Sequence, residues 1–326
     1  KTVQGQRSRQ KGIYRYHHKI HKNIKGAIVV NKEIRVAVIG LDTSHSVELP
    51  RRMQAPDCPE ESRVEGLRAV TCMRFETPFT NRQVLDERQQ QLEAWGVRVT
   101  EDFNDAVSDC DAIMIEINDP AYHLEYFKKC MKCNKPIFLD KPLADHYENG
   151  KAIYDLAKEN NVQVLSSSPL RYVQGLTDAC RMVSKPMQTY CYGPLGIPPV
   201  GSGVIWYGVH CFEMLERAMG RGAICVDTRK DHAGAVAIVE YPDKRRGVVE
   251  LTEGAYTYGG TLRDGKSNPS YSVDSPVYYA EELKVIERFF RTGKADLCLD
   301  DALEVMNLLD AAAKSYESGK PEKLQD

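Results

Sequence analysis

The chain has 326 residues, 44 Lys and Arg against 46 Asp and Glu, a formal charge of −2, and 42% hydrophobic residues. That length suggests two domains at roughly 100–200 residues each. The balanced charge argues against a dedicated nucleic-acid binder, and no apolar run approaches the roughly 20 residues of a membrane helix. Ten cysteines are scattered without a regular framework in a chain long enough to build its own core, which predicts free thiols in a reducing, cytoplasmic setting. The CxxC of Cys130 and Cys133 has no partner pair and reads as two structural thiols.

Residues 1–32 stand apart. Nine Lys and Arg occur there with no acidic residue, and His17, His18 and His21 are interspersed. The stretch has no apolar core, so it does not read as a secretory signal. A disordered tail or sequence read from upstream of the true start is expected, with a basic arm as the alternative.

Order begins at Glu33. Residues 34–40 form a β-branched strand ended by Gly40, and further strands are predicted over 67–73, 97–100, 111–117, 137–140 and 162–166. Helices are predicted between them over 102–110, 122–133 and 145–160. Strands and helices in alternation imply a doubly wound parallel sheet covered on both faces. Within it, Ile137-Phe138-Leu139 runs into Asp140-Lys141-Pro142, and the proline ends the strand. A lysine at the carboxyl end of a strand, just before a helix, lies where open α/β sheets place their chemistry.

Beyond residue 168 the pattern changes. Alternating segments at 204–207, 222–226, 233–241 and 247–252, with a hairpin connection at 241–247, predict a mostly antiparallel open sheet. Helices over 280–291 and 300–318 close the chain. In the last, Ala302, Val305, Leu308, Leu309 and Ala312 mark the buried face. The expected organisation is a basic tail (1–32), a Rossmann domain (33–168) and an α+β substrate and oligomerisation domain (169–326).

Four features together, the strand ending at Gly40, the turn and His123 at 118–123, Asp140-Lys141-Pro142 and Gly208-Val209-His210, resemble the Gfo/Idh/MocA oxidoreductases. The most specific is the lysine motif, usually Glu-Lys-Pro in that family. The resemblance covers about residues 34–320. It implies an enzyme that moves a hydride between NAD or NADP and a hydroxyl or keto group of a sugar, polyol or related compound, working as a homodimer or homotetramer without nucleic acid or membrane partners. Lys141 then touches the reacting hydroxyl and steadies developing alkoxide charge, and His210 carries the proton.

The sequence departs from that family in two places. A Rossmann turn needs glycines so that the backbone can turn tightly and approach a pyrophosphate. Here Gly40-Leu41-Asp42-Thr43-Ser44-His45-Ser46 keeps only the first, with Asp42 and His45 in place of the others. Thr43, Ser44 and Ser46 still offer donors at a helix N-terminus; as alternatives, Asp42 or Thr43 caps the helix. Arg74, where an acidic residue would take ribose hydroxyls, leans toward a 2′-phosphate, and Glu76 is a possible substitute. The second departure is Trp206, which stands four residues before His210 where the family carries an aspartate and which is suited to stacking on a sugar ring.

Asn118, Asp119, Pro120, His123 and Asp140 complete the expected cofactor border, although packing is as natural a role for His123. Arg171 and Tyr207 join Trp206 and His210 as expected substrate contacts, with a salt bridge the alternative for Arg171. Glu213 either supplies a carboxylate or starts a helix, and tyrosines in 256–278 suit a sugar site or a dimer interface. Asp42, His45, His123 and His210 have metal-ligand chemistry but no cluster spacing, so no metal site is predicted. Two further readings stand beside the dehydrogenase: a lyase- or glycosidase-like enzyme that oxidises its sugar only transiently, and a non-catalytic ligand-binding relative.

Overall fold

A computed structural model of the chain describes residues 32–325, so the basic segment 1–32, apart from its last residue, lies outside the described residues. Strand β1 (Ile34–Ile39) is followed by α1 (His45–Gln54), β2 (Leu67–Met73), α2 (Arg82–Ala94), β3 (Arg98–Thr100) and α3 (Phe103–Val107). Then come β4 (Ala112–Ile115), α4 (His123–Cys130), β5 (Ile137–Leu139), α5 (Tyr147–Glu159) and β6 (Val164–Leu165). The six strands form one sheet in the order β3-β2-β1-β4-β5-β6, every pairing parallel. This is the doubly wound order, and its crevice opens where β1 and β4 lie side by side. Strands β4 and β5 are buried along their length and β1 over its last four residues, which is why they read as apolar runs.

The chain continues through α6 (Gln174–Met182), β7 (Gln188–Leu195), α7 (Gly203–Trp206), α8 (Gly208–Met219), β8 (Cys225–Lys230), β9 (Gly234–Glu240), β10 (Arg246–Glu253), β11 (Gly259–Arg263) and β12 (Ser270–Ser272). It ends in α9 (Tyr278–Thr292), α10 (Leu299–Ser318) and β13 (Glu322–Lys323). The second sheet has the order β12-β11-β7-β10-β9-β8-β13 and is antiparallel except between β7 and β10.

One expectation fails locally, and two elements stand where none was expected. Residues 204–206 lie in the short helix α7, with Tyr207 as its C-cap, rather than in a strand, because an apolar run that brief suits either element until packing chooses. Helix α2 escaped notice because only Leu85 and Leu92 of its thirteen residues are buried. Strand β7 was masked by Gly193 and Pro194, which argue against a strand interior yet sit in its last turn of pairing beside β10.

Helix α9 does not stay with the second sheet. Its Ala280, Leu283, Ile286, Phe289 and Phe290 share a core with Val36 and Val38 of β1 and Leu49 of α1. All ten cysteines are free, and among the described residues no helix is long and apolar enough to cross a membrane.

Candidate active site

The turn after β1 is shaped by Gly40. Its φ of +108° belongs to glycine, and a Cβ there would lie 2.3 Å from the backbone carbonyl oxygen of Glu116. The ends of β1 and β4 therefore touch. Beyond them opens a cleft of about 350 Å³, lined by Asp42, Thr43, Ser44 and His45 from this turn and by Phe79, Arg88, Asn118 and Lys141. The opposite wall is Pro169, Leu170, Trp206, Tyr207, His210 and Tyr258, with Tyr278 and Tyr279 from the start of α9. The volume suits a small ligand.

Lys141 is 7% exposed and opens onto the cleft from the end of β5, and the Lys141–Pro142 peptide is cis. Its Nζ lies 3.8 Å from Asp140 Oδ2, whose other neighbour is His45 Nδ1 at 2.9 Å. Burial pushes the Asp140 carboxyl up, but His45 and Lys141 beside it prevail and hold it at about 2. Glu116, the residue after β4, is fully buried next to this group; burial, Asp140 and Glu282 raise its carboxyl well above the ordinary range.

His210 enters from the first turn of α8. Its Nδ1 is 2.7 Å from the Ser168 hydroxyl, which leaves Nε2 for the cleft. Burial, then the charge of Lys141, pushes its pKa well below the ordinary value, so the imidazole is neutral.

Asp42 has turned inward. Its carboxylate accepts from the Thr77 hydroxyl at 2.7 Å and the Asn118 backbone N–H at 2.9 Å, and burial pushes its pKa up. It does not cap α1, nor does Thr43. Ser44 holds the N-cap position without a side-chain bond, and the Thr43 hydroxyl accepts from the His45 N–H at 3.3 Å. The Trp206 indole donates to Asn118 Oδ1 at 3.0 Å and packs 5.4 Å from the Phe79 ring.

Several expected contacts are elsewhere. Arg171 is buried and paired with Glu213 Oε2 at 3.0 Å and Glu216 Oε2 at 2.5 Å, so it braces α8 instead of meeting substrate. Glu213 also accepts from the Ser168 N–H at 3.2 Å, inside α8 and away from the cleft. Arg74 is 2.8 Å from Asp86 and 4.0 Å from Glu101, its charge already matched. Each ring nitrogen of the wholly buried His123 faces a backbone carbonyl, Pro142 O at 2.9 Å and Ile117 O at 2.8 Å, so its role is packing. Asp119 caps the next turn by accepting from the Ala121 N–H at 3.1 Å, and Pro120 is buried. Leu41 is buried too, and its carbonyl accepts from Arg88 at 2.8 Å. Arg88 and Phe79 carried no signal in the sequence, because both belong to the polar stretch where no element was expected.

Residues 34–168 match the GFO_IDH_MocA family model, described as an oxidoreductase family with an NAD-binding Rossmann fold. The match covers the first sheet and its helices, under half of the chain. Solved structures carry the same fold over its length. The scyllo-inositol dehydrogenase of Lactobacillus casei, determined with NAD(H) and scyllo-inositol, is 13% identical with a TM-score of 0.73, covering 90% of this chain and 99% of its own. The myo-inositol 2-dehydrogenase of Lactobacillus plantarum is 14% identical (TM-score 0.73; 90% and 100% covered). The myo-inositol dehydrogenase of Corynebacterium glutamicum is 12% identical (TM-score 0.74; 90% and 99% covered). No curated protein sequence matches the chain.

The matched model's NAD-binding Rossmann fold implies a nicotinamide dinucleotide, and the turn fits one. With Asp42 drawn into the interior, the mouth of the crevice presents the hydroxyls of Thr43 and Ser44, the start of α1 and the Arg88 guanidinium. Hydroxyls, a helix N-terminus and a cation are the donor set for a diphosphate.

Proposed function

We propose that the chain is an NAD(P)-dependent dehydrogenase acting on a ring hydroxyl of a cyclitol, sugar or sugar derivative. The observation that carries this reading is the meeting of Lys141 and the neutral His210 in one cleft beside the turn after β1. Thr43, Ser44 and Arg88 would hold the dinucleotide's phosphates, and Asn118 borders its ring end. When bound, the nicotinamide supplies the hydride acceptor.

The protein's own residues do the rest. His210 Nε2 takes the proton of the substrate hydroxyl, while the Ser168 hydroxyl on Nδ1 fixes the ring's orientation. The Lys141 ammonium lies against the same oxygen and stabilises the charge that grows there, with Asp140 behind it as counter-charge. Trp206, Tyr207, Tyr258 and Tyr278 offer apolar faces and hydroxyl rims suited to a polyhydroxylated ring, and they exclude water.

The test is a turnover assay. The purified protein is incubated with NAD or NADP and a panel of inositols, aldoses and keto-sugars, and nicotinamide reduction or oxidation is followed by absorbance. Cofactor-dependent turnover that falls in Lys141→Met and His210→Asn is expected. No turnover across the panel, together with no NAD or NADP binding by calorimetry, would sink the proposal.

A further inference from the structure

Behind Lys141 lies a group of side chains that the dehydrogenase reaction does not use. His45 follows β1, Glu116 follows β4 and Asp140 follows β5, three adjacent strands whose ends are in register: Ile39 pairs with Ile115, and Ile115 with Leu139. One ligand atom from each of the three lies within 4.8 Å of the others, and all three residues are buried.

Their hydrogen bonding is incomplete. Neither oxygen of Glu116 nor of Asp140 has a hydrogen-bond partner, nor has His45 Nδ1, although it lies 2.9 Å from Asp140 Oδ2. Glu282 of α9 adds a third buried carboxylate; its Oε1 accepts from the Ser167 hydroxyl at 3.2 Å and its Oε2 has no partner. The only cation within 4 Å of any of these carboxylates among the described residues, the His45 ring aside, is Lys141, on Asp140 alone. A buried carboxylate without donors costs several kcal/mol, so an unpartnered Glu116 calls for a positive ligand or a proton.

We propose that His45, Glu116 and Asp140 form a binding site for one divalent transition-metal ion of the zinc or manganese class. One imidazole with two carboxylates is a donor set for such ions rather than for calcium or magnesium, which prefer all-oxygen shells. Adjacent ligands around an ion with bonds of ~2.0–2.2 Å are roughly 3.4 Å apart in tetrahedral geometry. The ligand atoms would therefore draw together from the present span to hold an ion. His45 faces the cleft while Glu116 and Asp140 lie beneath it, so the ion enters from the cleft past the imidazole. An ion there would tie the ends of β1, β4 and β5 together under Lys141.

The untagged full chain, stripped with EDTA and dialysed, is titrated with Zn²⁺ and with Mn²⁺ by calorimetry. One equivalent of at least one ion binds, raises the thermal midpoint, and is reversed by EDTA. Glu116→Gln, the same shape without the charge, loses that equivalent or binds it at least ~10-fold more weakly, the effect of losing even an outer-sphere partner. The ten cysteines and His17, His18 and His21 are unchanged in this variant, so adventitious binding through them persists and is told apart. X-ray absorption on the metal-loaded wild type, which needs no variant, shows nitrogen and oxygen neighbours only. Stoichiometric binding by neither ion, unchanged affinity in Glu116→Gln, or a sulfur shell would each overturn the proposal; the first means that protons alone balance the carboxylates.

Discussion

The Trp206 indole N–H donates to Asn118 Oδ1 at 3.0 Å, and this bond joins α7 to the loop that follows β4 across the cleft. It holds the tryptophan over the crevice, and Asn118 also donates its backbone N–H to the inward-turned Asp42 at 2.9 Å. Trp206→Phe keeps an aromatic ring beside Phe79 and Tyr207 but removes the donor. It is expected to cost about 1 kcal/mol in denaturant unfolding and to raise KM more than it lowers kcat. A variant with unchanged KM would deny the bond a part in substrate binding.

Lys141→Met removes the ammonium and retains an apolar stem of similar length. If that charge stabilises the reacting oxygen, kcat falls roughly a hundred- to a thousandfold, while dinucleotide affinity by calorimetry changes little. Lys141→Arg is not expected to rescue, because a planar fork does not reproduce a point charge in a cleft this narrow.

The depressed pKa of His210 sets the acid side of the pH profile. A histidine held neutral by burial and by Lys141 is protonated only when the pH drops well below its ordinary value of 6.5. The acid limb of kcat/KM is therefore expected below pH 6.5. In Lys141→Met, one cause of the depression is gone and the limb moves upward. A limb at the same pH in both proteins would assign it to another group.

Glu213 makes a prediction about stability. Burial pushes its carboxyl from 4.5 up to about 7, with Glu216 adding to the push and Arg171 opposing it. A folded-state pKa above the unfolded one means the native protein holds the proton more tightly. This contribution is complete below pH 4.5 and is lost as the pH climbs through 7. Glu213→Gln removes it, so urea unfolding across that window should show a shallower decline for the variant than for the wild type.

Gly40→Ala puts a side chain at a positive φ and against the Glu116 carbonyl. The strain alone costs about 1–3 kcal/mol, and the clash adds to it. The β1 turn must open, so binding of NAD or NADP weakens along with stability. Equal dinucleotide affinity in a folded Gly40→Ala protein would separate the turn from cofactor binding.

The sequence showed most of the first sheet because its central parallel strands, buried on both faces, leave β-branched apolar runs bounded by turn residues. It pointed to Lys141 and His210, both of which line the cleft, through their neighbours, Pro142 and Gly208. It did not show where Arg171 or Arg74 would spend their charge. Ion partners such as Glu216 and Asp86 lie on other elements, and only packing brings them close. The His45, Glu116 and Asp140 group was hidden for the same reason, since three strand ends separated in sequence become neighbours only in the sheet. Position 206 misled in its secondary structure, yet the ring did find the cleft.

Helix α9 carries one more consequence. Its Leu283, Ile286 and Phe289 complete the core around β1, so a strand at the start of the described residues is sealed by residues made near the end of the chain. During synthesis, that face of the first sheet stays open until the ribosome has released about the last tenth of the protein but one. A fragment stopped after residue 168 would expose it permanently, and would be expected to aggregate or to recruit chaperones rather than to bind a dinucleotide as a free-standing module.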